Sequence, residues 1–298
     1  MSKIGICIDP HITDRHRCRQ DNFLEVVLGK LEYIAANNDF VLILGDLFHT
    51  FSNSNYIFYR VYKLMTQYKG KFIAIPGNHD LMHNNINALD RTTLGSLALT
   101  GALRLELDSF KIDNAEFQVS HVVKNLDKVP VDETNSKILI GHNYIEPIGT
   151  QKEWFTKDEI RTLNYKMVFL GHDHQPHEEE LLRHSILIRM GSLTRIDAQP
   201  YNENRKIYYY QLDSETLEYE KIEVPHAPSS EIYTEEAFRR IGSEREEVSF
   251  IKIGDVLAKF KKKKGGVNSL NEKLKLIATP QEIDYIKMLH EISDIRYF

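Results

Sequence analysis

Val41-Leu42-Ile43-Leu44-Gly45-Asp46-Leu47-Phe48-His49 decides how the rest of this 298-residue chain reads. Four apolar residues in succession, two of them β-branched, read as a short buried strand. Gly45 ends the strand, and Asp46 stands at its carboxyl end. In open α/β sheets that end faces the crevice where ligands sit. A carboxylate there can place one oxygen on each of two cations, and Asp46 is read as such a bridge.

Four more clusters follow apolar runs in the same way. Asp9-Pro10-His11 follows Lys3 to Ile8, and Gly77-Asn78-His79-Asp80 follows Phe72 to Ile75. Gly141-His142-Asn143 closes Lys137 to Ile140, and Gly171-His172-Asp173-His174 closes Met167 to Leu170. Helical patterns separate the first three strands. One runs to about Asn37 with Phe23, Val26, Val27, Leu31 and Ile34 on one face; the other spans Ser52 to Tyr68. This alternation predicts a largely parallel α/β core. From Leu103 to Val123 the pattern changes to short alternating runs, which predict antiparallel strands. Thr156 to Glu159 is a capping box that opens a helix. Ile186–Met190, Ile207–Leu212 and Leu217–Val224 read as late strands and point to a second sheet.

Composition sets the class. A net charge of −5 gives no global signal for nucleic acid, although a local basic patch is enough to bind it. Arg15, His16, Arg17 and Arg19 make one such patch, read either as a solvated loop or as a contact to phosphate. Lys261–Lys264 makes another, read first as a solvated loop. Two cysteines, Cys7 and Cys18, offer no disulfide framework. No apolar run reaches membrane-spanning length, and the N-terminus enters a strand with no signal-peptide pattern. A cytoplasmic protein with no membrane partner is the expectation.

Pro225-His226-Ala227-Pro228-Ser229-Ser230 marks a boundary. It divides the chain into a catalytic domain, residues 1–225, and a C-terminal capping or partner-binding region, residues 226–298. The latter carries a short helical pattern near Glu235 to Ile241. It also carries Gly265-Gly266 as a hinge, and a helix capped at Thr279-Pro280 whose stripe is Tyr285, Met288, Leu289, Ile292 and Ile295. The stripe either folds back on its own domain or docks on another protein.

The five strand-end clusters together supply carboxylates, one amide and at least four imidazoles, and no thiolate. That donor mix suits Mn, Fe or Zn and not a structural cysteine-type zinc site. Two such ions about 3.5–4 Å apart can clamp the attacking and leaving oxygens of a phosphoryl displacement. His121, in Gln118 to Val123, competes with His142 as a ligand, but it lies within a strand-like run and lacks the glycine turn.

The succession DPH, GDLFH, GNHD, GH and GHDH, over roughly residues 1 to 224, resembles the calcineurin-like metallophosphoesterase superfamily. GDLFH, Arg19 to Phe23 and Met190-Gly191-Ser192-Leu193 are most similar to the SbcD-type nuclease subunit of DNA double-strand-break repair and recombination. The resemblance implies a four-layer αββα sandwich with a small C-terminal helical appendage. It implies that Asp9, His11, Asp46 and His174 hold one metal, and Asp46, Asn78, His142 and His172 the other. His79 would protonate the leaving oxygen, Asp80 would orient His79, and His49 would contact the phosphate or assist at the metals. Arg15, Arg17 and Arg19 would meet DNA phosphates. The cofactors would be two divalent ions, Mn first, with Fe, Zn or Mg as alternatives. The partners would be DNA and an SMC-like ATPase, with a homodimer left open. A phosphodiesterase or phosphatase acting on a small molecule is the second reading. A scaffold without chemistry is the third, and filled ligand positions speak against it.

Overall fold

In the computed structural model, which describes residues 1–120, 129–145, 154–239 and 241, the apolar run forms strand β2 (Phe40–Leu44). Its parallel neighbours are β1 (Lys3–Cys7) and β3 (Phe72–Ile75). Alternation along the strand explains why every position is apolar. Val41 and Ile43 point into one core, Leu42 and Leu44 into another. The first core lies under α1 (Phe23–Asn37), α2 (Asn55–Gln67) and α3 (Thr93–Leu99), and Val27, Leu31, Val61 and Leu97 are among its members. Asn22, Ser54 and Thr92 cap these helices, each side chain accepting a backbone N–H of the first turn.

The second core lies between two sheets. The first sheet has the order β14-β13-β1-β2-β3-β4, with β4 at Arg104–Leu105, β13 at Tyr208–Asp213 and β14 at Tyr219–Glu223. The second has the order β11-β12-β10-β7-β6-β5. Its strands are β5 (Phe110–Ile112), β6 (Ala115–Ser120), β7 (Ile138–His142), β10 (Met167–Gly171), β11 (Glu180–Leu182) and β12 (Ser185–Ile188). Phe117, Ile140 and Phe169 of the second sheet share that core with Ile6 and Leu42 of the first. On the second sheet's outer face, α4 (Lys157–Leu163) packs Ile160 and Leu163 with Leu139, Val168 and Leu170. Both halves of the Thr156/Glu159 capping box form. A short parallel pair, β8 (Tyr144–Ile145) and β9 (Trp154–Phe155), completes the strands. The layers run helix, sheet, sheet, helix, as the resemblance implies.

Local patterns assign the later strands less well. β5 and β6 are antiparallel, but β4 runs parallel to β3 and β6 parallel to β7. β12 joins the second sheet, whereas β13 returns to the first and pairs antiparallel with β1, Ile4 opposite Leu212. That pairing covers the edge of β1, which would otherwise leave its N–H and C=O groups open.

The first compact unit is Met1–Phe238, and a second is Arg239–Phe298. Residues 226–238 thus pack with the first unit, through α5 (Ser229–Ile232) and buried Tyr233. Gln20 and Thr234 fix this segment by backbone bonds to Ile232 and Cys18. Both cysteines are buried and free. The lysine run, the Gly265-Gly266 pair, the stripe from Tyr285 to Ile295 and the competing His121 lie outside the described residues. No helix among the described residues is long and apolar enough to cross a membrane.

Candidate metal centre

Because β1, β2 and β3 are parallel, their carboxyl ends deliver Asp9, His11, Asp46, Asn78 and His79 to one end of the first sheet. β7 and β10, also parallel, deliver His142, His172 and His174 from the second. The two sets meet closely. A Cβ on Gly45, whose φ is +84°, would strike the His142 imidazole, and one on Gly77 would strike the Asp46 carboxylate and backbone N. Only glycine fits at either place.

Asp46 lies between the two sets. Its Oδ2 is 3.5 Å from His11 Nε2 and 3.1 Å from His142 Nε2. His11 Nε2 faces His174 Nε2 at 3.0 Å. His142 Nε2 lies 3.1 Å from Asn78 Oδ1, and its Nδ1 lies 3.2 Å from Asp9 Oδ1. The His142 and His172 rings are 4.8 Å apart. Asp9, His11, Asp46 and His172 all have positive φ, from 47° to 83°. For residues other than glycine such backbone is costly and collects at functional sites.

The electrostatics fit cations. Burial, with Asp46 adding, pushes the Asp9 carboxyl up to about 8 against the pull of His142. Burial works to raise Asp46 too, but His142, His11 and His79 outweigh it and hold that carboxyl below its usual range. Burial first, then His142, lowers His172 to about 3, and burial drives His11 well below an ordinary histidine. His11 Nδ1 is buried without a hydrogen-bond partner, and Asp46 Oδ2 is buried against the imidazole nitrogens of His11 and His142. Converging lone pairs and the neutral imidazoles of His11 and His172 are what a divalent ion needs, whereas at His142 Asp46 and Asp9 outweigh burial and push the imidazole up to about 10, so an ion bound there has to displace its proton. Ligand atoms of Asp9, His11 and Asp46 lie within 4.8 Å of one another, as do those of Asp46, His142 and His172. Asp46 is common to these two groups, and His11, His49 and His79 make a third within the same distance. His174 Nε2 stands beside His11 Nε2, and Asn78 Oδ1 beside His142 Nε2.

His79 sits at the edge of these groups. Its backbone N–H donates to Asp46 Oδ1 at 2.8 Å, and its ring Nδ1 meets the His49 carbonyl at 2.7 Å. A carbonyl can only accept, so Nδ1 carries a proton and Nε2 is left for a substrate. The His49 ring stacks on that of His79, centroids 5.5 Å apart.

Two expectations need correcting. The Asp80 carboxylate does not hold the His79 ring; buried, it accepts from the backbone N–H groups of Leu47, Phe48 and Gly77 at 3.2, 3.0 and 3.0 Å. It splices the Asp46 loop to the His79 loop, and the His49 carbonyl orients the imidazole. Arg19 does not join the exposed Arg15 and Arg17. It is buried, paired with Asp21 at 2.5 Å and bonded to the Arg195 carbonyl at 2.9 Å.

The motifs missed the outer wall. Asp46, His79, His172 and His174 open on a cleft of about 250 Å³ that Tyr144, Asp197 and Tyr201 also line. Tyr144 lies against the His172 ring, centroids 3.9 Å apart. Tyr201 donates to Asp197 Oδ2 at 2.8 Å. Only the nearness of Tyr144 to the Gly141-His142 motif hinted at any of these.

None of the curated proteins matches the chain. Among solved structures, a protein of Thermus thermophilus is 15% identical, with a TM-score of 0.47, over 75% of this chain and 99% of its own. An archaeal phosphodiesterase is 17% identical, with a TM-score of 0.41, over 74% and 99%. A hypothetical protein of Pyrococcus horikoshii is 16% identical, with a TM-score of 0.42, over 82% and 94%. The profile of the family described as Calcineurin-like phosphoesterase matches residues 3–176, more than half of the chain and every strand-end cluster described above; the chain belongs to that family of metal-dependent phosphoesterases.

Proposed function

We propose that the chain is an SbcD-like DNA nuclease subunit that cleaves phosphodiesters with two Mn ions and works in the cytoplasm beside an SMC-like ATPase. The observation that carries the phosphodiesterase reading is the shared carboxylate of Asp46 between two donor groups, with His79 lining the cleft beside it and its Nδ1 held by the His49 carbonyl. Asp9, His11, Asp46 and His174 would hold one ion, and Asp46, Asn78, His142 and His172 the other. Held there, divalent ions supply Lewis acidity toward the phosphoryl oxygens and lower the pKa of water.

The side chains supply the rest. His79, as the imidazolium, gives its Nε2 proton to the departing deoxyribose oxygen, while the His49 carbonyl keeps Nδ1 in register. Asp46 fixes the backbone of His79 through Oδ1. Support for DNA as substrate comes from Arg15 and Arg17, exposed on the loop that leaves His11. A small-molecule phosphoesterase has no need of that loop or of residues 239–298.

The deciding assay offers linear duplex DNA, cyclic nucleotides and small phosphodiesters in parallel with Mn. Preference for DNA, reduced in Arg15→Ala/Arg17→Ala and steeply salt-dependent, is the expected result. Turnover of cyclic nucleotides with no DNA cleavage would assign the site to small molecules. Deleting residues 267–298 is expected to abolish ATPase association and leave nitrophenyl-ester hydrolysis intact.

A further inference from the structure

A second cleft, of about 530 Å³, opens beside α1, away from all the metal donors. Val26 and Tyr33 of the helix line it, as do Val224 and Pro225. Lys30 lines it too. The helical period puts Lys30 on the face of α1 that packs inward, and it is only 6% exposed.

A buried ammonium is costly unless it is paired. Lys30 Nζ donates to the Leu193 carbonyl at 2.8 Å, which uses one of its three protons. Among the described residues no carboxylate forms an ion pair with it. Burial, then Arg19, Arg205 and Arg195, push its pKa well below that of ordinary lysine. The two acids that line the cleft are already engaged. Asp21 pairs with Arg19, and Glu25 accepts from Arg60 at 2.7 Å. Arg195 is itself committed to the carbonyls of Arg205 and Ala227 and to Ser229 Oγ. The cleft therefore presents a buried lysine amine with one protein acceptor, beside the guanidinium groups of Arg19 and Arg195 and the apolar and aromatic side chains of Val26, Tyr33, Val224 and Pro225; an anionic head supplies the acceptors that favour its protonated form. A cation would meet like charge there. A neutral apolar molecule would leave Lys30 as it is.

We propose that this cleft is a binding site for a small organic anion, its charged head on Lys30 and its aromatic or apolar body against Val26, Tyr33 and Pro225. The site is independent of the metal centre and of the nuclease reading.

The probe is anilinonaphthalene sulfonate, an aromatic body with one anionic head, titrated by fluorescence into the intact protein. One saturable site per chain is expected. Lys30→Met keeps the stem and removes the amine, and is expected to weaken binding at least tenfold. Gly29→Leu is the second variant. A Cβ there meets nothing within 4 Å, and Gly29 lines the cleft, so leucine fills the slot without crowding the helix and is expected to abolish binding. Near-ultraviolet circular dichroism reports whether each variant is folded. No saturable site in the wild type, or wild-type affinity in folded Gly29→Leu, overturns the proposal. Wild-type affinity in folded Lys30→Met also overturns it, since the cleft would then bind by apolar contact alone. If Lys30→Met fails to fold, Gly29→Leu decides.

Discussion

Replacing His79 with asparagine separates proton donation from metal binding. The backbone N–H of residue 79 still reaches Asp46 Oδ1, and the seven donors that the resemblance implies are all kept. What disappears is the ring whose Nδ1 is held by the His49 carbonyl at 2.7 Å and whose Nε2 is left for the substrate. General acid catalysis contributes roughly 10²- to 10⁴-fold, or about 2.7–5.5 kcal/mol of barrier. The whole of that is at stake for DNA, because a deoxyribose oxygen leaves as a strongly basic alkoxide unless it is protonated. Little is at stake for bis-nitrophenyl phosphate, since nitrophenolate is a weak base and leaves unaided. The assay is kcat on both substrates with Mn, beside a metal determination. His79→Asn is expected to keep its ions, lose DNA cleavage by roughly 10²-fold or more, and lose far less on the nitrophenyl ester. Equal losses on both substrates would make His79 a binding or structural group and refute the reasoning.

Asp80→Ala strips an acceptor from three backbone N–H groups, each about 1–3 kcal/mol when left unsatisfied. Calorimetry is expected to show a loss of at least about 3 kcal/mol, roughly 6–12 °C in Tm for a unit of this size, and a shift under about 2 °C would contradict it. Gly77→Ala drives a Cβ against Asp46 and is expected to weaken Mn affinity by about 10- to 100-fold in titration calorimetry; unchanged affinity would mean that the loop yields freely. Phe169→Ala empties a fully buried position between the sheets and is expected to cost about 3–5 kcal/mol in denaturant unfolding. Chelation is expected to abolish hydrolysis of both esters and added Mn to restore it; activity that survives exhaustive chelation would exclude metal-dependent chemistry.

The centre was legible because its chemistry falls where apolar runs stop. Asp46 after Leu44, Asn78 after Ile75 and His142 after Ile140 sit at strand ends, and parallel pairing carries those ends to one place. Other features depend on contacts between distant residues. β13 looks like any late strand until it meets β1, roughly two hundred residues earlier. Arg19 reads like Arg15 and Arg17, but Asp21, two residues on, and the Arg195 carbonyl draw it inside. Asp80 belongs to a ligand motif, yet its oxygens answer backbone N–H groups that carry no sequence signature. Asp197 and Tyr201 lie beyond the last motif, in irregular backbone and a short 3₁₀ turn, where no period marks a face. Lys30 stands on the inward stripe of α1, where only the charge of its letter argues against burial.

The claim on which the rest depends is that one carboxylate, Asp46, serves two metal ions. Elemental analysis of protein loaded with Mn and freed of excess, wild type beside Asp46→Ala and His174→Ala, tests it most directly. Two ions per chain are expected in the wild type, about one in His174→Ala, and neither retained in Asp46→Ala. An Asp46→Ala protein that is folded and still holds two ions would contradict the shared-ligand centre.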